Sequence, residues 1–469
     1  MIVDSKLKPA DLKPALTKTF ELAGKKVRAI DKRWNPSSGT PVFTVAGQYT
    51  SRGWTEWTQG FQYGCAILCF DATGDEKLLE LGRKRTVNQM ASHVTHIGVH
   101  DHGFNNLSTY GNLRRLMLEG RTKHNVWELA FYEMALKASG AVQAARWQGA
   151  HPGKDEAGLK RTANAPQLGY VYSFNGPHSL FIDTMRTIRI LGVAWQLGHK
   201  LMHEGDKGAD LLKRSVLHGL ATNQYIVFHG DSTHTYDVRG RTAHEGTFNR
   251  NDGNFRARAT QQGYSPFSTW TRGLAWAVLG YAEELEFIDT INDATFKVST
   301  GLEKKAVVAA YEQAAIDTAD HYIDDVTATD GIPYWDDGAI DLHKLGDWKA
   351  RPAEPYNDHE PVDASAAAIA AQGLIRLGKY LGSKGKKYTQ AGLTTTRTLL
   401  AEPYLSMSAK HEGLLLHSVY HRPNNWDYIP PGRKVPCGES SLWGDYHLLE
   451  LAVLVQRLAD GGAYLKFFD

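Results

Sequence analysis

The stretch WTRGLAWAVLGYAEEL at residues 270–285 decides the fold class. Its apolar side chains recur at intervals of three and four residues, at Trp270, Leu274, Ala277, Val278, Tyr281 and Leu285. That spacing places them on one buried face of a helix. The same pattern recurs at 61–69, 307–322 and 366–381, whereas the only short strand candidates are 224–227 and 413–420. The sequence therefore predicts an all-α protein of helical hairpins, with one domain over residues 1–469.

The composition excludes several classes of protein. The chain has 469 residues, 42% of them hydrophobic, and a formal net charge of +2. This balance predicts no binding to nucleic acid or to an anionic membrane surface. The first twenty residues lack a signal-peptide pattern, so a cytoplasmic location is expected, or a periplasmic or secreted one if the native start carries a removed signal.

Three cysteines are too few for a disulfide framework or a zinc ribbon. Cys65 and Cys69 lie four residues apart on a predicted helix face, where packing explains them better than metal binding. No HExxH motif or glycine-rich phosphate loop occurs. We therefore expect no metal and no cofactor, and the oligomeric state is left open.

The first candidate for chemistry is Asp101, which lies between His100 and His102 just before a helix predicted to begin near Asn105. A carboxylate there is stabilised by the helix N-terminus. Capping of that helix explains the residue equally well.

The second candidate is Asp183, which interrupts an apolar helical run. A buried carboxyl group without a partner has a raised pKa and keeps its proton near pH 7, as a general acid requires. A structural ion pair with Arg186 or Arg189 is the alternative explanation, and the more common one for such a residue taken alone.

The third candidate region runs through a polar loop into the helix quoted above, with Ser268 as its expected N-cap. Arg272 and Trp276 are four residues apart and share a helix face. A guanidinium that binds a carboxylate in bidentate fashion, beside an indole that stacks on a sugar ring, suits an anionic sugar. A role for Trp276 in the core is the alternative. The long segments 150–177 and 228–266 are further expected to carry function.

Seven segments, in this order, resemble the unsaturated glucuronyl hydrolases of glycoside hydrolase family 88. They are HDHGF (100–104), SLFIDTMRTIRIL (179–191), QQGYSPFSTWTRGLAWAVLGYA (261–282), DGIPYWDD (330–337), DASAAAIAAQGL (363–374), EGLLLHSVYH (412–421) and WGDY (443–446). The resemblance implies an (α/α)6-type barrel. It also implies release of a 4,5-unsaturated uronic acid from the non-reducing end of an oligosaccharide, through hydration of the vinyl ether.

The resemblance also implies roles for individual residues. Asp183 matches the general acid/base and Asp101 its partner carboxylate, with His100 beside it. The remaining expected contacts with a uronic-acid-containing oligosaccharide are His234, Gln262, Arg272, Trp276 and Trp57.

An eliminative polysaccharide lyase acting on glucuronan- or alginate-like uronans is the alternative. In that reading Tyr264 serves as base and acid, while Asn175, His234 and Arg258 neutralise the uronate carboxylate. The hydrolase is favoured because isolated tyrosines and arginines are common in any sugar cleft. A non-catalytic carbohydrate-binding module ranks last, because it does not explain Asp183.

Overall fold

Helices dominate the computed structural model, which describes residues 1–52, 56–151 and 167–468. Part of the long segment predicted to carry function, residues 152–166, lies outside the described residues. The α-helices are α1 Lys13–Arg33, α2 Gln59–Thr73, α3 Glu76–Gln89, α4 Ala91–Val94, α5 His102–Asn106, α6 Asn112–Leu118, α7 Val126–Ala145, α8 Thr184–Thr187, α9 Arg189–Gln196, α10 Leu211–Tyr225, α11 Thr271–Asp289, α12 Asp293–Thr300, α13 Lys304–His321, α14 Ala364–Tyr380, α15 Lys386–Leu399 and α16 Leu442–Asp460.

Short antiparallel strands lie in the segments between helices. They are β1 Pro41–Val45, β2 Gln48–Ser51, β3 Trp147–Ala150, β4 Leu168–Val171, β5 Ser179–Phe181, β6 Leu201–Met202, β7 Gly208–Ala209, β8 Glu245–Phe248 and β9 Phe255–Ala259. Three of them form one sheet in the order β5-β8-β9. The predicted strands at 224–227 and 413–420 are wrong: α10 runs through Tyr225, and both segments contribute only single bridges, for example Val227 with Thr242.

The helices form two concentric rings. In the inner ring α2, α5, α8, α11, α14 and α16 pack in succession, and α16 closes the ring on α2. The outer helices α1, α3, α7, α10, α13 and α15 pack against this ring. Outer and inner helices alternate along the chain, as in six successive hairpins. The predicted all-α (α/α)6-type barrel is confirmed.

Small residues allow the inner helices to approach closely. A Cβ atom on Gly280 of α11 would lie 2.7 Å from backbone atoms of Met185 in α8. On the other side, a Cβ atom on Gly373 of α14 would lie 2.7 Å from the backbone of Leu279. Since such contacts are shorter than packing tolerates, glycine is required at both contacts. The ring can therefore close tightly around α11, whose side chains are buried along nearly its whole length.

The N-termini of the inner helices lie at one end of the ring. Asp183 and Asp363 are the N-cap residues of α8 and α14, and Trp270 is the N-cap residue of α11. Asp101 is the N-cap residue of α5, and Trp57 lies just before α2. Most of the predicted site residues therefore come to the same end of the barrel although they are far apart in sequence.

Candidate active site

A cavity opens at this end and encloses about 780 Å³ of empty space. Seven of the predicted site residues line it: Trp57, His100, Asp101, Asp183, Gln262, Arg272 and Trp276. The other lining residues are Phe104, Phe174, Gln261, Trp270, Tyr420, His421, Asn424 and Trp426. A pocket with aromatic walls and a few polar groups is typical of small-ligand sites.

Two carboxyl groups in the cavity lining lie close to the same ring nitrogen of His100. Nε2 of His100 lies 3.1 Å from Oδ1 of Asp183 and 3.9 Å from Oδ1 of Asp101. Asp101 holds the N-cap position of α5, but its side chain accepts no capping hydrogen bond from that helix. The helix begins at His102, three residues earlier than expected. Helix capping therefore does not account for this carboxylate.

The arginines that follow Asp183 in sequence have other partners. Arg186 donates to Glu450 at 2.8 Å, and both Arg186 and Arg189 pair with Glu283. These groups form a buried charge cluster among the inner helices. The ion pair considered as an alternative for Asp183 is therefore not formed, and its partner is His100 instead.

The two carboxyl groups differ in their affinity for protons. Burial raises the pKa of Asp101 above its usual range, and the negative charge of Asp183 adds to this effect. Burial also acts to raise the pKa of Asp183, but the charge of His100 and its hydrogen bond outweigh it and hold that pKa below the usual range. Despite burial, the two carboxylates raise the pKa of His100. The expectation that Asp183 itself keeps a proton in the protein alone is thus wrong, because His100 stabilises its ionised form.

Arg272 is a structural centre of the site. Its terminal nitrogens donate to Asp363 at 3.1 Å, to Gln262 Oε1 at 2.9 Å, to the Tyr420 carbonyl at 2.8 Å and to the Val419 carbonyl. All four terminal N–H bonds are therefore used inside the protein. The expected bidentate grip on a substrate carboxylate is wrong, since the guanidinium instead positions Gln262 and the segment at 419–420.

Trp276 combines the two roles considered for it. Its side chain is buried against Phe104, with ring centroids 4.8 Å apart, and also contributes to the cavity wall. The helix that carries it begins at Thr271 rather than after Ser268. The Ser268 hydroxyl donates to the Ser265 carbonyl at 3.2 Å, so it shapes the preceding turn and is not the N-cap.

His244 lies beside the site, behind the residues that line the cavity, and sequence reasoning missed it. Its Nδ1 accepts hydrogen bonds from the backbone N–H groups of Gln261 and Gln262, at 2.9 Å and 3.4 Å. Burial lowers its pKa to about 3, so the ring is neutral and carries its proton on Nε2. Within the described residues, that buried Nε2 has no hydrogen-bond partner. A neutral donor is therefore held near Asp183.

Strand pairing, and not a local sequence pattern, brings His244 beside Asp183. The sheet pairs β5, which leads into Asp183, with β8, which follows His244, and the Ile182 N–H donates to the His244 carbonyl at 3.0 Å. The predicted His234 lies ten residues earlier, in a loop where its ring stacks on Tyr236. It does not line the cavity.

Three further residues of the lyase alternative lie outside the cavity lining as well. Tyr264 is 46% exposed, and its backbone N–H donates to Asp336 at 2.8 Å. The Arg258 guanidinium lies 4.0 Å from the centroid of the Phe228 ring. The Asn175 side chain donates to Glu245 at 3.3 Å. The arrangement that elimination requires is not assembled by these side chains.

A C-terminal segment forms a further part of the cavity wall. It supplies Tyr420, His421, Asn424 and Trp426. The Asp427 side chain accepts hydrogen bonds from the backbone N–H groups of Tyr420 and His421, which holds the turn in place. The segment 412–421 is one of the seven that carry the family resemblance, but its sequence does not indicate that it lines the cavity.

Comparisons with known proteins bear on this geometry. No protein-family model matches the chain. The unsaturated glucuronyl hydrolase of Bacillus sp. (strain GL1) is 24% identical over 441 residues, which cover 89% of this chain and 91% of that protein. The unsaturated chondroitin disaccharide hydrolase of Streptococcus pyogenes serotype M1 is 24% identical over 438 residues, covering 93% and 90%.

Solved structures agree with these sequence matches. The crystal structure of the Bacillus sp. GL1 unsaturated glucuronyl hydrolase superposes with a TM-score of 0.65 at 22% identity, covering 94% of this chain and 96% of that one. A structure of an unsaturated glucuronyl hydrolase specific for heparin gives a TM-score of 0.67 at 19% identity, with coverage of 95% and 97%. The chain resembles the unsaturated glucuronyl hydrolases. The match to these unsaturated glucuronyl hydrolases spans both rings of the barrel and the cavity.

The described residues contain neither a metal-binding cluster nor a membrane-spanning helix. No group of three or more histidine, cysteine, aspartate or glutamate side chains is arranged to hold a metal ion there. In the same part of the chain, every helix is too short or too polar to cross a bilayer.

Proposed function

We propose that the protein is a hydrolase that removes a 4,5-unsaturated uronic acid from the non-reducing end of an oligosaccharide. The observation that carries the proposal is the pair Asp101 and Asp183, both close to Nε2 of His100, in the lining of an aromatic cavity. The relatives that bear this activity in their names add support, since they match nearly the whole chain.

The cavity suits a flat, negatively charged ring. Aromatic side chains such as Trp57, Trp270 and Trp426 offer faces on which a sugar can stack. The N-termini of α11, α14 and α16 lie at the same end of the barrel and carry partial positive charge. The electric field of these helix ends favours binding of a uronate carboxylate, even though Arg272 does not bind that carboxylate directly.

Binding of the uronate would change the proton affinity of Asp183. A second negative charge nearby raises the pKa of a carboxyl group, so Asp183 takes up a proton together with the substrate. The acid then delivers this proton to the C4 carbon of the double bond, and positive charge develops at C5 and the ring oxygen. The Asp183 carboxylate next accepts a proton from the water that adds to C5, which restores the acid.

The hydration product collapses without further help from the enzyme. The C5 hydroxyl makes this carbon a hemiketal, and ring opening converts it to a ketone. Opening leaves C1 as a hemiacetal, which expels the neighbouring sugar as an alcohol. One water molecule is consumed, and no redox partner is needed.

Asp101 would act as a neutral neighbour. Burial and the nearby charge of Asp183 raise its pKa, which favours the protonated form of this carboxyl group. A protonated Asp101 donates a hydrogen bond to the sugar and adds no negative charge that would repel the uronate.

An ultraviolet assay tests the proposal. A hydrolase consumes the conjugated double bond of an unsaturated uronyl disaccharide, so the absorbance falls; a lyase acting on an intact uronan makes the absorbance rise. Asp183→Asn should lower kcat by about 10²–10⁴-fold. The exposed Asp293→Asn, in the first turn of α12, is the matched control and should leave the rate unchanged.

The outcomes separate the three candidate functions. Rising absorbance on the intact polymer would establish the lyase instead. A fall in absorbance that persists in Asp183→Asn would overturn the role of this carboxyl group. Sugar binding without turnover in the unmodified protein would leave only a binding module.

A further inference from the structure

The outward face of α7 is apolar although this helix belongs to the outer ring. On this face Trp127 is 86% exposed, Met134 69% and Phe131 44%. The opposite face, with Tyr132 and Leu136, is buried in the barrel. A helix that is apolar on both faces is normally covered on both. The outer face of α7 therefore lacks a partner within the described residues.

The exposed and half-buried side chains of this face follow a regular spacing. Large side chains come first and small ones follow, at intervals of four, three, four, three and four residues: Trp127, Phe131, Met134, Ala138, Ala141 and Ala145. We call these six residues the α7 stripe. Alternating intervals of three and four residues mark a seam along which one helix packs on another.

We propose that the α7 stripe is the contact between two copies of this chain, with the two α7 helices antiparallel about a two-fold axis. In that register the bulky half of each stripe meets the small half of the other. Trp127 faces Ala145 of the second copy, Phe131 faces Ala141, and Met134 faces Ala138. Large and small residues then interdigitate at every level, as an isologous interface requires.

Charges beside the stripe fit the same arrangement. Glu133 and Lys137 lie four residues apart along one edge of the stripe, near its midpoint. An antiparallel pair places Lys137 of one copy near Glu133 of the other, so opposite charges meet. Glu133 already pairs with Arg114 at 3.1 Å in its own chain, so the rim forms a small network across the contact.

The exposed area is of the right order for a dimer. A fully exposed aromatic side chain offers about 150–250 Å², so the exposed fractions of Trp127, Phe131 and Met134 amount to on the order of 400 Å² per copy. A standard interface buries about 800 Å² per partner, of which the apolar centre is only a part. The stripe supplies such a centre.

Sedimentation velocity over a concentration series tests the dimer. The unmodified protein should sediment as a dimer at about 10 μM, since interfaces of standard size give dissociation constants in the micromolar range or below. Ala141→Arg, which places a charge in the small half, should raise the dissociation constant at least about tenfold, and so should Trp127→Ala. Val298→Arg is the matched control, because Val298 on α12 is 87% exposed and lies outside the stripe.

A residue swap tests the antiparallel register. Ala141→Phe alone sets two phenylalanines against each other and should weaken the dimer. Adding Phe131→Ala in the same chain restores one large and one small residue at each level and should restore association. Circular dichroism melts confirm that each variant is folded, since Phe131 also contacts the Tyr110 ring.

Three results would overturn the proposal. The first is a monomer at about 100 μM, well above the concentration at which an interface of standard size associates. The second is a dimer that survives both Ala141→Arg and Trp127→Ala. The third is a swap variant that stays as weak as Ala141→Phe, which would exclude the antiparallel register.

Discussion

Replacing His100 by glutamine should move the alkaline limb of the pH–rate profile to higher pH. The proposed reaction needs a proton on the carboxyl pair, so the rate falls as pH rises through the pKa at which this proton is lost. Protonated His100 favours the ionised form of both carboxyl groups, because an opposite charge lies beside each. Without that charge the proton is held more tightly, and activity persists to higher pH.

The size of the shift follows from the geometry. An opposite charge at this range lowers a carboxyl pKa by about 1–3 pH units, so His100→Gln should move the limb up by a similar amount. Coulomb energy falls with distance, and His100 Nε2 lies 3.1 Å from Asp183 against 3.9 Å from Asp101. The charge of His100 therefore affects the pKa of Asp183 about a quarter more strongly than that of Asp101. We expect Asp183 to account for most of the shift in the pH–rate profile.

The assay is the initial rate of absorbance loss from an unsaturated uronyl disaccharide across the pH range. His421→Gln is the matched control, because His421 lines the same cavity but burial lowers its pKa to about 4, so no charge is lost above that pH. An alkaline limb that stays in place in His100→Gln, or moves to lower pH, would refute the reasoning. A limb that moves equally in the control would show that the charge of His100 is not the cause.

Three further predictions concern stability, the lyase alternative and the thiols. Arg272→Ala leaves the buried Asp363 without its cation and should lower the free energy of unfolding by about 3–5 kcal/mol in urea denaturation; a change confined to KM would contradict the structural role. Tyr264→Phe should retain most hydrolase activity because this side chain lies outside the cavity, and loss of turnover would instead support elimination. Burial raises the pKa of Cys65 and that of Cys69, the latter to about 12, so neither thiol should react with a thiol reagent in the native protein; prompt labelling of either would contradict their burial.

Local patterns in the sequence predict the fold class and mark the two carboxyl groups as candidates, whereas their roles follow from the family resemblance. The apolar spacing of α11 follows from residues within a single helix, and Asp183 stands out because its neighbours are apolar. The pKa of Asp183 was predicted in the wrong direction, since its controlling partner, His100, is 83 residues away in sequence.

Long-range pairing also explains the other errors. The sequence analysis does not mark His244, because the pairing of β5 with β8, which brings His244 beside Asp183, leaves no local pattern in the sequence. The saturation of Arg272 depends on Asp363 and on the Val419 carbonyl, which are 91 and 147 residues away. No pattern confined to one helix could have shown that its N–H groups were already committed.

The guanidinium of Arg272 joins the cap of α14 to the amide that faces the cavity. Thermal tolerance and turnover consequently depend on one set of bonds at this point of the barrel. Laboratory selection for heat resistance should find few acceptable changes there, and should accumulate them on the outer helices, where a substitution can stiffen the scaffold without displacing Gln262.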